Sequence, residues 1–177
     1  MEFEKLIEER RSVRSYQASE VEHDVLETIV KQAQMAPSWK NSQTARTYVA
    51  EGGEMLQKLR TQGLPEFNQK SSANASLIVT TFVKDTAGFT KGEPDTEIGN
   101  FWGAYDLGLH DAYLVLAAKN AGYDTLIMGI RNPEEIRKLL EIPEDEVIVS
   151  VIAVGKRDKE PAFRPRKELG EVVHFIG

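Results

Sequence analysis

Between Ala104 and Ala121 the chain carries Tyr105, Leu107, Leu109, Ala112, Tyr113, Leu114, Val115, Leu116, Ala117 and Ala118. Wound as a helix, this segment is apolar on nearly every side. Such a helix must be covered all round, by its own core or by another subunit. Gly122 supplies its stop. The longest strongly apolar stretch, Val147 to Val154, spans eight residues against the ~20 of a bilayer crossing, so no membrane span is expected.

The remaining elements follow from periodicity and punctuation. Phe3, Leu6 and Ile7 space as one face of a short amphipathic helix over the first ten residues. Ser19 and Glu22 have the capping-box spacing, followed by a helix whose apolar face is Val21, Val25, Leu26, Ile29, Val30 and Ala33, with Pro37 beyond it. Short helices are expected over 54–60 and 65–71. Strands are expected over 47–50, 77–83 and 125–130, with 147–154 as a central one. Asn132 caps a helix that begins at Pro133. Thr86 to Gly103, with four glycines and a proline, reads as a functional loop. At 177 residues, without repeat or linker, this is one α+β domain spanning 1–177.

The net charge is −6, so a global footprint for nucleic acid or anionic membrane is missing. Basic residues nevertheless gather in two places. Arg10, Arg11 and Arg14 surround Ser12 and Ser15. The tail carries Lys156, Arg157, Lys159, Arg164, Arg166 and Lys167 against Asp158 and Glu160. Guanidinium pairs with a serine hydroxyl suit a phosphate; helix capping by surface charge is the alternative. A polar turn, Pro37-Ser38-Trp39-Lys40-Asn41-Ser42-Gln43, could pair with a heteroaromatic edge or be an ordinary turn. Gly129, at a strand end after Ile127 and Met128, allows close backbone approach to a ligand or marks a bulge. The tail ends in Val172, Val173, Phe175 and Ile176, which should dock on this subunit or a partner.

Several chemistries lack their residues. No cysteine excludes disulfides, thiolate metal sites, iron–sulfur clusters and a cysteine nucleophile, and fits a reducing compartment. His23, His110 and His174 are far apart and form no ligand pair, so no metal is expected. There is no GxSxG, GxGxxG or P-loop. Asp106, His110 and Asp111 share one helix and are read as bridging elements rather than catalysing. The opening MEFEKLIEERR has no apolar signal core, and a cytoplasmic location is expected.

RRSVRSY, APSWKNSQ, FNQKSSANASLIV, AAKNAGYDTLIMGI and the basic tail, in that order, resemble the FMN-dependent nitroreductase family over essentially the whole chain. The resemblance implies an α+β fold with a central mixed or antiparallel sheet surrounded by helices. It implies a homodimer with FMN at the subunit interface and a C-terminal tail extending onto the partner subunit. It implies a ping-pong oxidoreductase that passes hydride from NAD(P)H through flavin N5 to nitroaromatic or quinone-type small-molecule acceptors. Arg10, Arg11 and Ser12, closed by Arg164 and Arg166, would meet the FMN phosphate and ribityl chain. Arg14 would stabilise negative charge near N1, with no obligatory acid or base side chain. Pro37, Ser38, Trp39, Asn41 and Gln43 would reach the flavin of the other subunit. Asn68 would bond the pyrimidine edge, and Ile127, Met128 and Gly129 would lie near N5. Phe101 and Trp102 are the substrate-side candidates.

The chain departs from the family pattern at Ser71, where a lysine is common, at Thr44-Ala45 after the glutamine, and at Met128-Gly129, where longer members carry Glu-Gly. Reductive dehalogenation, flavin breakdown and a non-catalytic flavin-binding module are the alternatives.

Overall fold

A computed structural model describes residues 2–177. The elements run α1 Phe3–Glu9, α2 His23–Ala33, β1 Ala45–Ala50, α3 Gly53–Gly63, α4 Glu66–Ser71 and β2 Ser76–Val83. They continue with β3 Phe89–Thr90, β4 Glu93–Pro94, α5 Phe101–Asn120, β5 Asp124–Met128, α6 Pro133–Leu140, β6 Glu146–Gly155 and α7 Leu169–Val172. β1, β2, β6 and β5 form a sheet in that order, each neighbouring pair antiparallel. Among the described residues the parallel contribution is a single bridge between Ser12 and Thr125.

The two inner strands are apolar in succession because both faces of the sheet are covered. Leu77, Val79, Val151, Ala153, Leu126 and Met128 point to one face, where Leu56 and Leu59 of α3 and Ile136 of α6 pack. Ile78, Ile152 and Val154 point to the other, against Leu26 and Ile29 of α2 and Leu114 and Ala118 of α5. Two-residue alternation thus builds a helix–sheet–helix sandwich around strands with no polar edge to their pattern.

Polar groups in the core bridge elements. Asp111 Oδ2 accepts from Thr80 Oγ1 at 3.0 Å and from Ser150 Oγ at 3.3 Å, tying α5 to β2 and β6. On the other face buried Glu146 accepts from the Tyr48 hydroxyl at 3.0 Å and from Thr81; burial and this carboxylate push the Tyr48 pKa up to about 12. Asn132 caps α6 as expected, its Oδ1 accepting from Glu135 N at 3.3 Å.

Two expectations change. Ser19 and Glu22 form no capping box: α2 starts at His23, Glu22 is its cap residue without a side-chain bond, and the Ser19 hydroxyl is buried without a partner. The segment 86–103 is not one loop, since it contains the β3–β4 hairpin and yields Phe101 and Trp102 to the first turn of α5. Within the single chain, Phe101, Tyr105 and Tyr113 of α5 are exposed on one side, the part of its surface left to the second of the two expected covers. α1 forms over Phe3–Glu9 as expected, and Phe3 and Ile7 of its apolar face are likewise exposed in the single chain.

Close approach of α5 to β2 depends on Gly103, where an added Cβ would press into the Phe82 ring. Gly103→Ala is expected to lower unfolding stability by about 1–3 kcal/mol through overpacking, measured as a shift of the urea midpoint.

A candidate flavin and phosphate site

The N-terminal arginines are placed by backbone bonds. After α1 the chain runs beside β5, with Val13 N donating to Thr125 O at 2.9 Å. Val13 and Tyr16 are buried there, while Ser12 and Arg14 stay exposed and Arg10 and Arg11 half-buried. The tail is fastened alongside. Gln17 N donates to Lys156 O and Asp158 N to Ser15 O, each at 2.9 Å. Arg157 Nη2 and Nε bond the two carboxylate oxygens of buried Asp124 at 2.6 and 2.7 Å, a fork-to-fork pair. The tail then passes back over the arginines, with Phe163 5.1 Å from the Arg11 guanidinium.

Arg10, Arg11, Ser12, Arg14, Arg164 and Arg166 consequently line one cleft of about 1130 Å³. Both basic clusters of the sequence meet in it. Arg11 donates to backbone oxygens of Glu8 and Arg10, and Arg14 to that of Ser12. No ion pair engages any of these five guanidiniums among the described residues. Burial first, then the charges of Arg166 and Arg11, hold the Arg10 pKa below its ordinary value. Glu8 also lines the cleft but makes no ion pair with the guanidiniums among the described residues; the remaining excess of positive charge fits an anion with several oxygens, as a phosphate monoester has.

The expected residues at the end of β5 do not line this cleft. Met128 buries its side chain in the core and offers only backbone, whereas Ile127 faces the other way and is 49% exposed. Asn68 is buried and gives its Nδ2 to Ile130 O at 2.8 Å, which leaves its Oδ1. Arg131, which the sequence reading missed, donates to Gly129 O at 2.8 Å and to Ile148 O, pinning the turn after β5. It gave no signal because its partners are carbonyls, which no sequence pattern encodes.

The polar turn lies elsewhere. Pro37, Ser38 and Gln43 line a separate cleft of about 340 Å³ with Asp106 and His110 of α5, and it shares no residue with the arginine cleft. The turn is strained: Lys40, Asn41 and Gln43 have φ of 47°, 56° and 49°. It is held by Asp106 Oδ2, which accepts from Trp39 N at 2.8 Å, and by Ser38 Oγ, which accepts from Gln43 N at 3.0 Å. Trp39 rests on Trp102 with ring centroids 4.7 Å apart. Trp102 is committed to packing and to a bond from its Nε1 to Thr96 Oγ1, while Phe101 is 74% exposed. Trp39 Nε1, Ser42 Oγ and Thr44 Oγ1 are buried without partners.

His110 Nδ1 lies 3.2 Å from Asp111 Oδ1, but the Ser150 and Thr80 hydroxyls bond the carboxylate rather than the imidazole. Asp111 thereby ties α5 to β2 and β6.

A model of the nitroreductase family matches residues 7–156. The chain belongs to the nitroreductase family. It is 28% identical over 168 residues to an Archaeoglobus fulgidus protein provisionally named an NADH dehydrogenase/NAD(P)H nitroreductase, covering 90% of this chain and 87% of that one. It is 27% identical over 182 residues to the FMN reductase (NAD(P)H) of Bacillus subtilis, covering 96% and 72%. Among solved structures, a nitroreductase from Exiguobacterium sibiricum in complex with FMN superposes with a TM-score of 0.85 at 21% identity, covering 99% and 98%. The helix-covered antiparallel sheet is thus the nitroreductase fold.

Burial raises the Asp106 pKa, opposed by the bond from Trp39 N. A raised acid pKa means that the folded chain favours the protonated form. Its charge therefore costs stability at neutral pH, and that cost fades as pH falls through the raised value. Asp106→Asn keeps an oxygen for Trp39 N and removes the charge. At pH 7 it is expected to equal or exceed the parent in urea stability, with the gap closing on acidification.

Proposed function

We propose that this chain is an FMN-dependent oxidoreductase that passes hydride from NAD(P)H to nitroaromatic or quinone-type acceptors in ping-pong order, working as a homodimer. The observation that carries the reading is the arginine cleft, where five guanidiniums without an ion pair among the described residues gather from both ends of the chain. Family membership and an FMN reductase among the relatives support the same cofactor.

When bound, FMN supplies a carbon–nitrogen ring whose N5 accepts and returns hydride. The chain's residues do the rest. Arg10, Arg11 and Ser12, with Arg164 and Arg166, hold the phosphate. Arg14 supplies a fixed positive charge for the N1 edge, where negative charge develops on reduction. Asn68 keeps its Oδ1 for the pyrimidine edge. Ile127 and the backbone at Met128 and Gly129 form a floor that Arg131 holds still. No side chain is required to move a proton during hydride transfer, and both substrates use one place in turn.

The second half of the site would come from the partner. Pro37, Ser38, Trp39, Asn41 and Gln43 sit on a strained turn away from their own arginine cleft, as residues serving another subunit's flavin would. The exposed Tyr105 and Tyr113 of α5, and Phe175 and Ile176 of the tail, are apolar surface that a dimer would bury. Phe101 is the substrate-side candidate left free. A reductase drawing on NAD(P)H works where that pool is, which suits the cytoplasm.

The test is a visible spectrum of the purified protein, oxidised and then with anaerobic NADH or NADPH. Bound-flavin bands that bleach, and return with a nitroaromatic or quinone, are expected; a protein that refuses added FMN overturns the reading. Arg10→Ala is expected to weaken FMN binding by about tenfold or more, the loss of a charge-assisted bond. The FMN-free variant should be at least as stable as the parent, because repulsion from Arg11 and Arg166 is relieved; fluorescence titration and thermal unfolding check the two halves.

A further inference from the structure

Three residues of the polar turn, Lys40, Asn41 and Gln43, hold left-handed φ angles although none is glycine. Such positions persist only where neighbouring structure enforces them. Most of the turn's hydrogen bonds are local. Asn41 N donates to Ser38 O at 3.0 Å, Ser42 N to Trp39 O at 2.8 Å, and Gln43 N to Ser38 Oγ at 3.0 Å. These close the turn without fixing it to the fold. Among the described residues, one bond ties its backbone to an element distant in sequence, from Trp39 N to Asp106 Oδ2 of α5 at 2.8 Å. The other attachments are between side chains. Trp39 packs on Trp102, one helical turn before Asp106, and Lys40 reaches Asp95 at 3.5 Å from an exposed position.

Asp106 has no other bond in the fold. It is 5% exposed, yet no cation pairs with it among the described residues, and Trp39 N is its one hydrogen-bond partner there. His110, four residues on, turns its Nδ1 to Asp111 Oδ1 instead. Burial raises the Asp106 pKa, so the ionised group costs stability rather than adding it. For packing alone, an apolar side chain would serve a buried helix face better. A carboxylate kept there against its own cost, and aimed at one amide of a strained turn, points to a role carried out by the turn.

We propose that Asp106 is a positioning residue: by holding Trp39 N it sets the orientation in which the turn presents Ser38, Asn41 and Gln43 to the flavin of the other subunit. Resting on the composite site proposed above, this role adds a residue that touches neither cofactor nor substrate. Asn41 and Gln43 are exposed in the single chain, and their direction follows from the backbone angles that Asp106 helps to enforce. A bond to an ionised acceptor is short and directional, which ring packing alone is not. What the turn needs from Asp106 is the oxygen; an asparagine offers the same acceptor without the charge.

Trp39 and Trp102 are the chain's two tryptophans, so near-ultraviolet circular dichroism of the flavin-free protein reads the position of the turn. Asp106→Ala is expected to lose the signal of the packed pair and to raise the FMN Kd about tenfold or more, the scale of one hydrogen bond to a charged group. Asp106→Asn is expected to keep the signal and to bind FMN within about threefold of the parent, because the acceptor remains. Mixed dimers, purified through two different affinity tags, test the direction of the effect. A dimer of one Asp106→Ala chain and one Arg10→Ala chain has one site with both changes and one with neither, so it should bind one FMN at parental affinity. An unfolded Asp106→Ala chain would yield no such site, because its own arginine cleft must serve there. A parent that refuses FMN overturns the functional reading and this role with it. With a parent that binds FMN, three results overturn the role of Asp106 alone: an Asp106→Ala protein with unchanged tryptophan signal or unchanged Kd, an Asp106→Asn protein as weak as Asp106→Ala, or mixed dimers without a parental site.

Discussion

The run of chain from Ser12 to Tyr16 along β5 is the attachment on which the candidate site depends. One backbone bond, Val13 N to Thr125 O, sets the register. With Val13 and Tyr16 drawn into the core, the arginines between and before them are held at the edge of the sheet. The same strand's Asp124 fixes the tail through Arg157, whose pKa this pairing raises. β5 therefore collects two basic segments that are about 150 residues apart in sequence. Tail arginines reach the N-terminal ones only because a buried ion pair anchors the base of the tail, leaving the last residues to their own partners.

Much of the fold was legible because its sheet has helices on both faces. Strands covered on both sides must be apolar in succession, and Val147 to Val154 announced such a strand without ambiguity. Asn132-Pro133 announced a helix start for an equally local reason. The failures were tertiary. Ser19 and Glu22 have the spacing of a capping box, but α2 starts only at His23 and the Ser19 hydroxyl is buried without a partner. The stretch 86–103 looked structureless because its hairpin has two-residue strands, too short for any periodicity.

The site was legible as two lists of residues and not as one place. Arg10, Arg11, Arg14, Arg164 and Arg166 are unusual as charge clusters in an acidic chain, and the fold brings them together. Ser38 and Gln43 are unusual as a crowded polar turn, and the fold keeps them apart from the arginines. Residues whose work is done on backbone oxygens left no trace. Arg131 holds Gly129 and Ile148, and Asp106 holds Trp39 N; neither contact has a side-chain partner that a motif could record. The Met128 side chain turned inward because strand alternation gives the open face to Ile127.

Charge and strain are the two unbalanced quantities in this chain, and they sit in different clefts. The arginine cleft holds repulsion that an anion removes. The turn at 38–43 holds three left-handed backbone positions and buried polar atoms without partners, features that persist only when surrounding structure enforces them. Asp106 and the Trp39–Trp102 contact enforce them from α5, the helix whose outer side is still bare apolar surface. Under the proposed dimer, covering that side and delivering the strained turn to a second subunit's flavin are one event. Association would then supply to each arginine cleft what its own chain holds elsewhere, so that flavin binding and dimer formation should strengthen each other.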